Sequence, residues 1–321
     1  MRNNLKYKVL IILQCCFFGF AFIAIKNLCL LNVPSFLLIG IRFAIGSLGL
    51  FLFNIIFGFV KNRTSNREGK KIFNYSKPEL VLGIIAGVVM FVAFAFQTFG
   101  AETTSPAKNA LFTDLFIVFT PIISGLVHKR FSLQPLISSL IAITGVLVVL
   151  RIFNAEPTFS GGDVLSIICG IVFSIHFLLL EKFAQNSKYK LNVINFTIVQ
   201  FVTTAILSIL LSLFFEANTY HYIRWGQAIF WLIYAGLIAS AVAYVIQFVA
   251  QSHISANDTA LLSGFEAVFS LVFALIFKLD VFSWSLIIGA GIILIAFILS
   301  SLDLTRFKRT KSETSDQSTH E

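Results

Sequence analysis

The sequence predicts an all-α integral membrane protein with ten transmembrane helices, arranged as two inverted five-helix repeats. Three observations lead to this fold class: the composition, a series of apolar segments of bilayer length, and a similarity between two stretches 150 residues apart. Of the 321 residues, 57% are hydrophobic and only 12% are charged, and 37 are phenylalanines. A water-soluble domain of this length is far less apolar, so the composition indicates a chain that lies in a bilayer.

Ten apolar runs of about 20 residues, the length that crosses a bilayer, alternate with short polar breaks. They begin near residues 8, 34, 79, 106, 133, 162, 190, 226, 256 and 283. The first run follows basic residues, as a secretion signal would, but it continues to Ile25 without a small-residue cleavage site. We therefore expect it to remain as the first transmembrane helix. Outside the runs lie only short loops, a basic segment at 61–77 and a polar tail from Asp303, which leaves no room for a soluble domain.

The basic residues predict the orientation. If the N-terminus is cytoplasmic, 18 of the 24 Lys and Arg residues fall in loops and tails on the cytoplasmic side, as the positive-inside rule requires. Both termini are then cytoplasmic, and the protein belongs in the cell (cytoplasmic) membrane. This orientation also accounts for the net charge of +9, so nucleic acid is not an expected partner.

The sequence gives no sign of a metal, a cofactor or a catalytic centre. The cysteines lie in or near the spans and lack metal-binding spacing, so we interpret all four as packing residues: Cys15, Cys16, Cys29 and Cys169. No zinc motif, nucleophile elbow or phosphate-binding glycine loop is present, and ATP is therefore not expected as a direct energy source. The chain is not expected to be an enzyme.

Two stretches 150 residues apart are similar. The stretch SPAKNALFTDLFIVFTP from Ser105 aligns with SANDTALLSGFEAVFSL from Ser255. If each repeat holds five spans, an odd number, the second repeat enters the membrane from the side opposite to the first. Inverted repeats of this kind place a substrate site near the bilayer midplane and support alternating access.

At this point the sequence resembles the drug/metabolite transporter superfamily, EamA-type family. The resemblance covers about 7 to 302 and rests on five patches in order: FFGFAFIAIK, PSFLLIGIRF, FQTFGAETTSPAKNALFTDLFIVFTPIISGL, GGDVLSIICGIVFSIHFLLLEKF and AVAYVIQFVAQSHISANDTALLSGFEAVFSLVFALIFKLD. It implies five-helix repeats at 7–152 and 160–302, followed by a cytoplasmic polar tail at 303–321. It also implies that helices 1 to 4 and 6 to 9 surround a central cavity, with helices 5 and 10 at the periphery.

The chain departs from this family pattern in places. Phe18 stands where a tryptophan usually precedes Gly19, and Ala267 stands where the family has the proline of a Glu-Pro pair. Without that proline, the resemblance gives no reason to expect a kink in the ninth helix. Lys129 and Asp280 occupy positions where glutamate is usual.

Polar groups inside the spans are the candidate site residues, because a charged side chain at a span centre is costly and marks function by default. Asp114 shares a helical face with Ala107, Ala110 and Pro121, and Glu266 lies about 15 Å into the ninth span, roughly at mid-bilayer. The candidates for substrate binding or coupling are Arg42, Gln97, Asp114, His176, Gln200, Gln247 and Glu266, followed by Lys26 and Lys108.

Structural roles stay open for these residues. Arg42 is expected to neutralise Asp114, since both lie eight residues into their helices. His176 can be a satisfied core imidazole, glutamines often bridge helices, and the two lysines can reach the headgroups. Gly83 and Gly87 are interpreted as packing residues of the third span.

The function predicted from these patterns is secondary transport, by alternating access, of a small metabolite, amino acid or drug-like compound. Export is the expected direction, and any coupling is expected to come from a gradient of protons or of another ion, with Glu266 as the candidate proton carrier; the oligomeric state stays open. The alternative is a membrane-embedded enzyme or flippase that acts on a lipid-linked substrate. A sensor or structural membrane component would not need polar stripes in both halves.

Overall fold

The computed structural model describes residues 2–65, 75–128, 133–149, 159–186, 188–189, 191–254 and 256–301. Every regular element in these ranges is helical. Seven helical segments of the described chain are long and apolar enough to cross a membrane: Leu5–Leu30, Ser35–Ile56, Lys77–Thr103, Pro106–Val127, Gly161–Gln185, Val193–Phe215 and Trp225–Gln251. Three further apolar helices are shorter: Leu140–Val149, Phe265–Ile276 and Trp284–Ala296.

The α-helices of the described residues are α1 (Arg2–Leu30), α2 (Ser35–Ser65), α3 (Lys77–Thr103), α4 (Pro106–Thr113), α5 (Phe116–His128), α6 (Leu133–Val149), α7 (Gly161–Gln185), α8 (Val193–Phe215), α9 (Trp225–Ile233), α10 (Ala243–Gln251), α11 (Ala256–Ser263), α12 (Phe265–Ile276) and α13 (Trp284–Ser301). A 3₁₀-helix, Ala217–Tyr222, precedes α9, and a π-helical segment, Tyr234–Val242, joins α9 to α10.

Capping side chains explain where several helices begin. Ser76 and Glu79 form a capping box at α3, and Ser160 and Asp163 form another at α7. Each serine accepts a backbone N–H of the first turn, while the acid accepts the N–H of the serine itself. Asn192 caps α8 in the same way through its side-chain oxygen. These polar pairs stand directly before apolar runs, so the spans begin where the caps do.

The fourth and ninth spans are each interrupted, which differs from the continuous helices expected from periodicity. α4 ends at Thr113 and α5 begins at Phe116, and between them Leu115 N–H donates to Phe112 O in a tightened i→i−3 turn. α11 ends at Ser263 and α12 begins at Phe265, with Gly264 between them. Aspartate and glycine both weaken a helix interior, and Asp114 aligns with Gly264 in the two similar stretches. The ninth span is thus broken without a proline.

Helices α2 and α8 run antiparallel, and carboxylates from the opposite half cap both. Glu79, at the start of α3, accepts the N–H of Asn192 with its Oε1 at 2.8 Å. Glu216, directly after α8, accepts the N–H groups of Phe36 and Leu37, each at 2.9 Å. Phe36 and Leu37 lie in the first turn of α2, where N–H groups have no partner within the helix, and Asn192 is the N-cap residue of α8. The three bonds join residues 35–79 to residues 192–216 at both ends of the pair.

Glycines allow close approach between the halves. A Cβ at Gly83 would meet the Val199 side chain at 2.8 Å, and a Cβ at Gly87 would meet Gln200 O at 2.7 Å. This contact between α3 and α8 agrees with the packing role expected for both glycines. Where α3 meets α7, a Cβ at Gly162 would lie 2.3 Å from Gly100 O.

Candidate functional site

A cavity lies between the two halves of the chain, with about 470 Å³ of space among its lining atoms, including its open mouth. Its apolar lining consists of Phe18, Ala21, Phe22, Ile25, Phe94, Phe116, Phe173 and Phe177. Its polar lining consists of Arg42, Gln97, Thr113, Tyr244, Gln247, Ser263 and Glu266. These residues come from helices in the first, second, third, fourth, sixth, eighth and ninth apolar runs, so most of the helices expected around a central cavity contribute to it.

Arg42 is buried at one wall of the cavity and is held by the π-helical segment. Its Nε donates to Ser240 Oγ at 2.7 Å, and its Nη2 donates to Ala239 O at 3.0 Å. The guanidinium carbon lies 4.6 Å from the ring centroid of Phe94 and 5.3 Å from that of Phe43. Two hydrogen bonds and two aromatic faces therefore fix a positive charge that is only 2% exposed.

The expected pairing of Arg42 with Asp114 is wrong. Asp114 does not line the cavity, and its Oδ2 accepts the N–H of Ala267 at 3.0 Å, while its Oδ1 is buried without a hydrogen-bond partner. Among the described residues, no basic side chain lies within ion-pairing distance of this carboxylate. The break of the fourth span places Asp114 directly after α4, where its carboxylate meets the start of α12.

Glu266 lies in the first turn of α12 and lines the cavity, with 8% of its surface exposed. Because Arg42 lines the same cavity, one acidic and one basic side chain face a shared space that is otherwise rich in phenylalanine. A helix N-terminus favours negative charge, which supports an acid at this place. Three hydroxyl side chains of the ninth span are buried as well, Thr259, Ser263 and Ser270. Of these, Ser263 joins Glu266 in the cavity lining.

Two of the candidate glutamines line the cavity. Gln247, on α10, accepts a hydrogen bond with its Oε1 from Gln14 Nε2 at 3.1 Å, which links the first and eighth spans. Gln97, on α3, lines the cavity near Asn109, whose Nδ2 donates to the backbone oxygen of Gln97 at 3.1 Å. Both side chains are therefore available to a molecule in the cavity while their helices are tied to neighbours.

His176 and Gln200 lie one layer behind the cavity. Gln200 Nε2 is 3.2 Å from His176 Nε2 and 3.0 Å from Met90 Sδ. Both side chains are buried, and His176 Nδ1 has no partner. The ring of His176 stands edge-on to that of Tyr244, with centroids 6.3 Å apart, so the pair supports the cavity wall from outside.

Lys26 and Lys108 lie away from the cavity, where α3 ends and α4 begins. Lys26 Nζ donates to Ala101 O at 2.8 Å and to Thr104 O at 2.9 Å, so it satisfies carbonyls at the end of α3. Lys108 Nζ lies 3.4 Å from Asp163 Oδ2 at the start of α7. These contacts give both lysines partners within the protein.

Several residues of the site were missed by sequence reasoning. Tyr244 lies between Ser240 and Gln247 at helical spacing of four and three, so its position on the polar face of the eighth span was a usable signal. Gln14 is an isolated amide in an apolar first span, which is also a signal for an interhelical bond. Thr113 gave no such signal, because threonines are common in membrane helices.

The described residues contain no group of three metal-binding side chains, and all four cysteines are free thiols. Polar chemistry in the cavity therefore comes from amide, hydroxyl, carboxyl and guanidinium groups. Such a set can bind a small molecule through hydrogen bonds and charge, with phenylalanine faces for its apolar part.

Comparison with known proteins agrees with this geometry. A protein of Archaeoglobus fulgidus described as an uncharacterized transporter is 25% identical over 221 residues, which is 68% of each chain. One solved crystal structure, described only as that of a protein, has a TM-score of 0.65 and covers 96% of this chain and 99% of its own, at 18% identity, so it shares the fold. Residues 5–151 and 160–302 match the EamA-like transporter family. The chain is therefore a multi-pass membrane protein that belongs to the EamA-like transporter family.

Proposed function

We propose that the protein is a secondary carrier that exports a small metabolite, amino acid or drug-like compound across the cytoplasmic membrane by alternating access. The observation that carries this proposal is the cavity between the halves, where Arg42 and Glu266 face one space among phenylalanine rings. A site with one charge of each sign and apolar walls suits a zwitterion with an apolar or aromatic part. Membership of the family supports transport, and the opposite charges of Arg42 and Glu266 favour a substrate that itself carries both a positive and a negative group.

In the proposed architecture, ten transmembrane helices form two inverted five-helix repeats at 7–152 and 160–302, with a tail at 303–321 and both termini in the cytoplasm. Two observations support the repeats. The breaks in the fourth and ninth spans fall at aligned residues, and Glu79 and Glu216 cap the opposite halves in a reciprocal manner. Inverted repeats allow each half to exchange conformation with the other, which is the basis of alternating access.

The candidate site residues divide into three groups in this proposal. Arg42, Gln97, Gln247 and Glu266 contact the substrate, because their side chains line the cavity. A second group supports the wall from behind: Asp114, His176 and Gln200. The third group stabilises helix ends at one end of the bundle: Lys26 and Lys108.

Glu266 is the proposed proton carrier. Burial disfavours an ionised carboxyl group, and access to water favours it, so a carboxyl in the cavity can release its proton when the cavity opens to one side of the membrane. Arg42, fixed opposite, offers the charge that an ionised Glu266 or an anionic substrate group would meet. Competition between proton and substrate for this acid would couple their movements.

The test begins with the substrate. Metabolites inside and outside cells with and without the protein identify compounds that it moves, and the purified protein in liposomes shows whether they emerge chemically unchanged. An enzyme acting on a lipid-linked substrate would change them, whereas a sensor or structural component would give no flux.

Glu266→Gln then tests the coupling. This variant keeps the shape and hydrogen bonding of the side chain but cannot ionise, so it should exchange substrate down a gradient without accumulating it in response to a pH gradient. Glu181→Gln is the matched control, since Glu181 lies on α7 outside the cavity lining and should leave accumulation unchanged. Full pH-driven accumulation by Glu266→Gln would exclude Glu266 as the proton carrier.

A further inference from the structure

The helix that carries Glu266 begins in the interior of the protein, and the residue directly before it does not cap it. α12 starts after Gly264, which has no side chain and so cannot itself cap this N-terminus. The first N–H groups of a helix have no partner within the helix, and burying them unpaired is costly. Glu266 lies in this first turn, so its position depends on what holds the turn in place.

Asp114 supplies the missing cap from the other half of the chain. Its Oδ2 accepts the N–H of Ala267 at 3.0 Å, and Ala267 directly follows Glu266. Asp114 itself lies at the break of the fourth span, as the C-cap residue directly after α4. The bond thus joins the break in one half to the break in the other, next to the acid in the cavity.

The donor in this bond exists because residue 267 is an alanine. A proline at this place would have no N–H to donate. Ala267 is the third residue of α12, still within the first turn, where an N–H group has no partner in its own helix and a proline removes no intrahelical bond. The bond can therefore be removed from its donor side by a residue that this helix position accepts.

We propose that Asp114 is a positioning residue, which caps the first turn of α12 from the opposite half and thereby holds Glu266 in the cavity. The other oxygen, Oδ1, is buried and unpartnered, so an ionised carboxylate gains nothing there. An asparagine keeps an acceptor oxygen for Ala267 N–H, and an alanine does not. The capping role therefore requires an oxygen that accepts the N–H of Ala267, and it does not require a negative charge on residue 114.

The experiment uses a chemical readout that needs no substrate. Dicyclohexylcarbodiimide is an apolar reagent that forms adducts with carboxyl groups, and peptide mass spectrometry measures its rate of reaction at Glu266 in the purified full-length protein. If the first turn of α12 opens more often, the buried acid becomes more accessible and the adduct forms faster. The proposal rests on the proposed role of Glu266, but this readout is independent of transport.

Asp114→Ala and Ala267→Pro should each accelerate the reaction at Glu266 by about five-fold or more. Each change removes one buried hydrogen bond, and the loss of such a bond shifts the equilibrium between the closed and open first turn by about this factor. Asp114→Asn should stay within about two-fold of the unmodified sequence. The double variant Asp114→Ala/Ala267→Pro should be no faster than the faster single variant, because both changes remove one bond. Thr120→Ala is the matched control, since this buried hydroxyl bonds only its own helix, at Phe116 O, and should leave the rate unchanged.

Equal rates for Asp114→Ala and Asp114→Asn would overturn the proposal, and so would accelerations that multiply in the double variant. If Asp114→Ala fails to fold, Ala267→Pro against the unmodified sequence decides the question, because it removes the same bond without changing the acid. A normal transport result for Glu266→Gln would refute the coupling role alone, and the capping bond would still stand or fall on the carbodiimide rates.

Discussion

Substituting Gly162 by alanine should destabilise the contact between α3 and α7, and the structure gives the size of the effect. The added Cβ would lie 2.3 Å from Gly100 O and 2.6 Å from Thr103 Oγ1, whereas ordinary contact begins at 3.4 Å. The threonine side chain can turn away, but Gly100 O belongs to the backbone of α3. The two helices must therefore separate by about 1.1 Å at this point.

Overpacking of a well-packed site costs about 1 to 3 kcal/mol, and a clash between two helix backbones belongs at the upper end of this range. At roughly 2 °C per kcal/mol for a large domain, Gly162→Ala should lower the melting temperature by about 6 °C. The neighbouring Gly161→Ala is the control, because its added Cβ would meet nothing within 4 Å. Alanine is also the better helix former, so this control should melt at the same temperature or slightly higher.

The assay is thermal unfolding of the purified variants in one detergent, followed by the loss of the monodisperse peak in size-exclusion chromatography. The comparison of adjacent glycines removes differences in expression, membrane insertion and detergent. If the two variants melt within 1 °C of each other, the close contact at Gly162 does not limit stability, and the packing argument fails.

Two further predictions concern pH and orientation. Burial raises the pKa of Asp280, so the folded state binds this proton more tightly than the unfolded state, and stability should fall as the pH rises above about 3.9, the ordinary value for aspartate. Asp280→Asn removes this titrating group, so it should narrow the difference in melting temperature between pH 4 and pH 7. If the difference is unchanged, the ionisation of Asp280 is not what lowers the stability at the higher pH. Single cysteines at Asn66 and Ser315, which lie outside the described residues, should react with impermeant thiol reagents only from the cytoplasmic side, and one at Tyr220 only from outside. The reverse pattern would refute the proposed orientation.

Much of the fold was predictable because a bilayer restricts the backbone to helices of a fixed length. Apolar runs therefore located the helices, and the similarity between 105–121 and 255–271 identified equivalent positions in the two halves. The breaks at Asp114 and Gly264 were not predicted. The small and polar residues around Asp114 keep a helical spacing on both sides, so periodicity alone gives one continuous helix.

The candidate site was predictable in part for a similar reason. A polar side chain is expensive in a bilayer, so searching the spans for polar residues found Arg42, Gln97, Gln247 and Glu266, all of which line the cavity. The partner of Arg42 was not predictable from depth in the membrane. Its hydrogen bonds go to the π-helical segment at 234–242, whose backbone register no sequence pattern revealed.

The carboxylate caps on α2 and α8 have a consequence for how the two halves can move. Glu79, in the first turn of α3, accepts the N–H of Asn192, and Glu216, directly after α8, accepts the N–H groups of Phe36 and Leu37. Each of these bonds joins a residue of one half to a residue of the other, so a movement that parts α2 from α8 leaves N–H groups at a helix start without their partners. The pair α2 and α8 is therefore expected to move as one body, with any rearrangement taking place in the helices around it.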